Sequence, residues 1–162
     1  MSLLVEDGSG VAGAEAYISV ADADAYFAAR GNADWADLDT TAKEAALRKG
    51  CDYMEGVYTW KGMRATKTQT LSWPRKCVVV DRVHVPSDRV PLAIARANAE
   101  LAVRASAGDL SADEGSQVTR ETVGPITVEY AQGARQNPRY AAVDAMLSSY
   151  TLGGGQIAVV RC

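Results

Sequence analysis

Apolar residues recur at helical spacing in four stretches of the chain and alternate at strand spacing in a few others. Val20, Ala23, Tyr26 and Phe27 share one face of a helix that Ser19 caps and Gly31 stops, with Asp22 adding acidic charge to its first turn. Residues 32–40 read as a turn anchored by Trp35 and Leu38. A second helix starts from a Thr41–Glu44 capping box, carries Ala45, Leu47, Arg48, Cys51, Tyr53 and Met54, and ends near Gly56. In the third and longest, Ser87 or Asp88 is the cap and Pro91 falls in the first turn. Val90, Ile94, Ala97, Leu101 and Arg104 keep the spacing there, and Gly108 ends it. A short helix over 140–149 follows Pro138. Strand alternation appears over 118–123 and 126–130, on either side of Gly124-Pro125, which predicts a β-hairpin. Shorter strands are expected at 17–18, at 78–80, and at 157–160 after a triple glycine.

Residues 57–86 show neither period. Their Thr, Gly, Trp-Pro and Val content reads as a long loop around that one short strand, and such loops in compact domains are usually functional. The fold class predicted is α+β and mainly helical, a small bundle of about four helices with a β-hairpin and a C-terminal strand. The organisation expected is a flexible arm over 1–15 and a single domain over 16–150 that includes the loop 57–86 and the hairpin 117–131. A Gly-hinged strand or tail over 151–162 completes it.

Charge changes the picture of the loop. The net charge of −3 speaks against a protein that coats nucleic acid over its whole surface. The charge is unevenly spread, because residues 1–58 sum to −7 and residues 83–162 to −1. Between them, Lys61, Arg64, Lys67, Arg75, Lys76 and Arg82 face Asp81 alone, a net of +5. Three cysteines without CxxC spacing do not read as a disulfide framework, which points to a reducing cytosol. The N-terminus lacks the charged and apolar runs of a signal peptide, and no stretch approaches the roughly 20 apolar residues of a membrane span.

Candidate chemistry is sparse. His84 is the lone histidine and no nucleophile-elbow pattern accompanies it, so a loop histidine is the reading preferred over catalysis. Scattered Cys and one His do not make a zinc site, and the triple glycine is neither a P-loop nor a dinucleotide fingerprint. Asp22 and Asp24, two apart on a helix, point to different faces. No enzyme activity, cofactor or metal is expected. Two features remain. In the basic stretch, cations interleaved with Tyr58, Trp60 and Trp73 suit phosphate contact and base stacking, while the plainer reading has the Trp residues anchoring the loop to the core. In the C-terminal third, free strand edges suit a subunit that completes its sheet from a neighbour, or a small sheet closed within the chain.

The motifs AYISVADADAYFAARG at 16–31, KEAALRKGCDYMEGVYTWKG at 43–62, TQTLSWPR at 68–75, VPSDRVPLAIARANAELAVRA at 85–105 and VGPITVEYA at 123–131 occur in an order that resembles a family of tailed-phage proteins. That family is labelled DnaT-like single-stranded-DNA-binding proteins, and the same pattern is similar to phage head–tail connector, adaptor or head-completion proteins. The connector resemblance implies a structural subunit of a roughly twelve-fold homo-oligomeric ring. The ring would bind the portal on one side and a tail-side connector or tail terminator on the other, with duplex DNA in its lumen. The place implied is the virion head–tail junction, and the host cytoplasm during assembly. The alternative is a DnaT-like single-strand binder. The resemblance offers Trp60, Lys61, Gly62, Trp73, Pro74 and Arg75 as structural or contact positions, and with the basic segment the candidate contacts to nucleic acid or a partner are Trp60, Lys61, Arg64, Lys67, Trp73, Arg75 and Lys76.

Overall fold

A computed structural model describes residues 2–111, 120–123, 126–129 and 140–153. Among them the chain forms five helices and three two-stranded antiparallel sheets, an α+β fold dominated by helix. α1 is Val20–Ala28, α2 is Ala33–Ala36 and α3 is Thr40–Val57. β1 (Met63–Arg64) pairs with β2 (Arg75–Lys76), and β3 (Val79–Val80) pairs with β4 (Val83–His84). α4 (Leu92–Ala107) follows, then the hairpin of β5 (Arg120–Val123) and β6 (Ile126–Glu129), then α5 (Ala141–Leu147).

The helix starts follow from side chains that meet orphan amides. Ser19 Oγ accepts from the Asp22 amide at the head of α1, and Gly31 leaves its end at φ +65°. The segment read as a turn at 32–40 holds a helical turn instead, because Asn32 Oδ1 accepts from the Trp35 amide and caps α2. α3 is capped by Asp39, whose Oδ1 accepts from Ala42, and not by a Thr41–Glu44 box. Glu44 instead pairs with Arg48 one turn on. Ser87 and Asp88 do not cap α4 either. Pro91 itself occupies the cap position, and a proline holds the residue before it extended, so no helix runs back through Val90.

α3 and α4 form the centre. Gly50 permits their close approach: a Cβ there would lie 3.0 Å from the Ala102 amide and the Asn98 carbonyl. Asn98 is fully buried between them and ties three segments, donating to the Leu47 carbonyl and accepting from the Tyr17 amide. One buried cluster around Phe27, Trp35, Leu47 and Ala99 seats α1 and α2. The other, around Met54, Trp73, Leu101 and Leu147, seats α5 and the loop before α4. Cys51 in the second cluster is a free thiol, and burial raises its pKa. Cys77 is disulfide-bonded, which cysteine spacing gave no sign of.

Residues 2–15, read as a flexible arm, pack along the domain. Val5 bridges Ala16 in parallel, where a strand at 17–18 was expected, and the buried Glu6 carboxylate gathers the amides of Gly8, Gly10 and Val11. Gly8 sits at φ +105° with no room for a Cβ against the Asp88–Arg89 backbone. The predicted hairpin falls at β5–β6. Of the tail, Thr151 bridges Trp60 and Leu152 donates to the Thr59 carbonyl, while the expected strand at 157–160 lies outside the described residues.

Candidate nucleic-acid interface

The loop between α3 and α4 is a built structure. Trp73 is fully buried and Trp60 nearly so, with their rings edge-to-face at 6.0 Å and Tyr150 closing over Trp73 at 5.7 Å. The backbone N–H of Trp73 donates to the Tyr17 hydroxyl, which donates to Glu55 of α3. The second oxygen of Glu55 accepts from both the amide and hydroxyl of Ser72. Burial, and then the Glu55 charge, push the Tyr17 phenol far above its usual range. Gln69, also buried, donates to the carbonyls of Leu71 and Pro74. The loop's polar backbone is therefore satisfied by side chains reaching in from its own turns and from α3.

Arg75 belongs to this scaffold. Its guanidinium donates to the carbonyls of Lys61 at 2.6 Å, Gly62 at 2.8 Å and Ser72 at 3.1 Å, and burial lowers its pKa. Gly62 beside it sits at φ +70°, where an added Cβ would come within 2.2 Å of the Lys76 carbonyl. Gly62→Ala is expected to open the β1–β2 pair and cost about 2 kcal/mol, from the left-handed backbone and the forced shift of a neighbouring strand. Urea unfolding checks this, and a loss under about 0.5 kcal/mol would show that the pair adapts.

The remaining cations point outward. Arg64, Lys67, Lys76 and Arg82 are exposed, and Lys61 reaches the Ser149 carbonyl at 3.0 Å. Among the described residues none of these five forms an ion pair, whereas Lys43, Arg48 and Arg104 each hold a carboxylate. Asp81 and Arg82 both have positive φ, the signature of a two-residue type I′ turn, so Arg82 stands at the tip of the β3–β4 hairpin. Of the seven candidate contacts, then, Trp60, Trp73 and Arg75 are internal supports. Lys61, Arg64, Lys67 and Lys76 lie outside the core, with Arg64 on the Arg75 face of the β1–β2 pair, where it also donates to the Gln69 carbonyl, and Lys76 on the other face. Arg82 joins them, although only its charge, and no motif, marked it in the sequence.

The other sequence candidates have structural employment. Asp24 accepts from the Trp35 indole at 2.7 Å and pairs with Lys43, while Asp22 accepts from the Ser19 hydroxyl. His84 is an exposed residue of β4. Among the described residues no group of three His, Cys, Asp or Glu could hold a metal, and no helix is long and apolar enough to cross a membrane.

The model of the family described as "Putative DnaT-like ssDNA binding protein" matches residues 1–162. No curated protein and no solved structure matches the chain. The family match bears out the DnaT-like half of the resemblance and carries no word of a head–tail connector. The chain belongs to this DnaT-like family.

Proposed function

We propose that this member of the DnaT-like family binds single-stranded DNA without turnover, holding its phosphates with the exposed cations of residues 61–82. The whole-chain family match carries the reading, and the unpaired outward cations give it a surface. Buried indoles leave Trp60 and Trp73 no free face for stacking on bases. The interaction is therefore electrostatic in the main, indifferent to sequence and steep in salt.

The test is fluorescence anisotropy with a labelled oligonucleotide across a salt series. In the triple variant Arg64→Gln, Lys67→Gln, Lys76→Gln, affinity is expected to fall at least about tenfold at low salt. The logarithmic salt slope should shrink by roughly 2, since each phosphate neutralised on a single strand contributes about 0.7. Equal affinity and slope in the variant would remove this ribbon as the contact surface. Preference for a duplex of the same length would redirect the reading to double-stranded DNA.

A second reading has one observation in its favour. Met63, Val79 and Val83 stand exposed on the two short hairpins of the same loop, and apolar side chains at sheet edges suit contact with a neighbouring subunit. On that reading the chain is a head–tail connector subunit of a ring of about twelve copies, in the virion and earlier in the host cytoplasm. The portal and a tail-side component are its partners, and duplex DNA passes through. Closed rings in negative-stain electron microscopy would favour it, and monomers that capture single strands would favour the first.

A further inference from the structure

A groove of ≈ 570 Å³ runs between α1, the start of α4 and the N-terminal segment, a size typical of small-ligand sites. Its walls are largely apolar, from Ile18, Ala25, Ala29, Leu92 and Ala95. Leu92 is 61 % exposed, unusual for a leucine in the first turn of a packed helix. At one end two guanidinium groups lie on one ring: Arg30 is 3.6 Å and Arg96 5.7 Å from the centroid of Tyr26. Among the described residues neither forms an ion pair. The nearby carboxylate of Glu100 is already taken by the Tyr26 hydroxyl and by Arg104. Arg30 spends one N–H on the Tyr26 carbonyl, and the other donors of both groups remain available.

The opposite end is acidic and internally bonded. Glu6 holds three amides of its own loop, Asp7 accepts from the Ser9 amide, and Asp22 accepts from the Ser19 hydroxyl. The groove thus offers a cationic end, an apolar middle and an acceptor-only far end. We propose that it holds one nucleotide of a bound strand, with a phosphate on Arg30 and Arg96 and the base along Ile18, Leu92 and Ala95. This rests on the strand-binding reading and moves the specific contact from the loop to the α1–α4 face. Guanidinium groups already positioned on a ring lose little freedom on meeting phosphate oxygens, and their forked donors match them. The acidic end repels a second phosphate, which limits the groove to one nucleotide, and the exposed Asp7 and Asp22 carboxylates there accept from a base amino group such as cytosine N4.

The experiment is a nuclear magnetic resonance titration of the full ¹⁵N-labelled chain with deoxycytidine monophosphate and, separately, with a short oligo-deoxycytidine. Shifts are expected at the amides of residues 18–30 and 92–96 with both ligands. The Arg30→Gln, Arg96→Gln variant should abolish them and weaken the oligonucleotide at least tenfold, while the Arg64, Lys67, Lys76 triple variant keeps them. Shifts confined to residues 61–84, or unchanged affinity in the groove variant, overturn the groove and leave strand binding intact. If the oligonucleotide does not bind, strand binding falls. The groove then stands only if the monophosphate still shifts those amides, and falls if it does not. The native-chain map needs no variant, so a groove substitution that fails to fold leaves the decision intact.

Discussion

Replacing Trp73 by alanine is expected to destabilise the protein by about 3–5 kcal/mol and to leave the DNA affinity of its folded fraction unchanged. The side chain is fully buried, stands edge-to-face with Trp60 and Tyr150, and belongs to the cluster that also holds Met54, Leu101 and Leu147. Its removal leaves a void bounded by three separate segments, and such segments collapse poorly into a hole. The Trp73 amide is also the loop's link to Tyr17 and Glu55, so loosening that residue loosens the attachment to α3. Neither the Trp60 nor the Trp73 indole N–H has a partner among the described residues. Trp73→Phe removes one such donor along with part of the ring, and should cost clearly less than alanine. Urea unfolding of both variants, with oligonucleotide titration under native conditions, decides the matter. Little change in stability with lost oligonucleotide binding would mean that the ring faces DNA.

That experiment bears on why the basic loop was only half legible. A tryptophan beside cations has the same spelling whether it anchors a loop or stacks on a base. What settles it here is cover, and Tyr150, which covers Trp73, lies 77 positions further along the chain. Inside the loop the strand expected at 78–80 is β3, while its partner β4 and the β1–β2 pair escaped notice for another reason: strands of two residues are too short for alternation to register. The helices were legible because their apolar spacing persists over several turns, and the errors fell at their starts. At α3 two adjacent capping candidates competed and Asp39 won, and at α4 the restriction Pro91 places on Val90 outweighed Ser87 and Asp88. The α1–α4 groove could not be read at all, since Arg30 and Arg96 come together only through Tyr26.

Asn98→Ala is expected to cost about 2–4 kcal/mol, although it removes only a small amide. Asn98 is fully buried, its oxygen 2.9 Å from the Tyr17 amide and its nitrogen 3.0 Å from the Leu47 carbonyl. Alanine leaves the Tyr17 N–H without an acceptor where water does not reach, next to the segment that enters α1. Asn98→Asp separates the two bonds. A carboxylate there still accepts from Tyr17, but it turns a second acceptor toward Leu47 and buries a charge without a cation. Both effects raise the folded-state pKa of the new carboxyl above its unfolded value. Its deprotonation therefore disfavours the folded state, and the destabilisation should be largest at neutral pH. As pH falls through the raised pKa the group gains a proton, can donate to Leu47, and recovers stability relative to wild type. Urea unfolding of wild type and the Asp variant at pH 7 and at about pH 4, near the unfolded carboxyl pKa, measures that difference directly. A penalty that stays constant between the two would mean that the carboxylate has escaped to solvent and that the α3–α4 contact opens more easily than its packing implies.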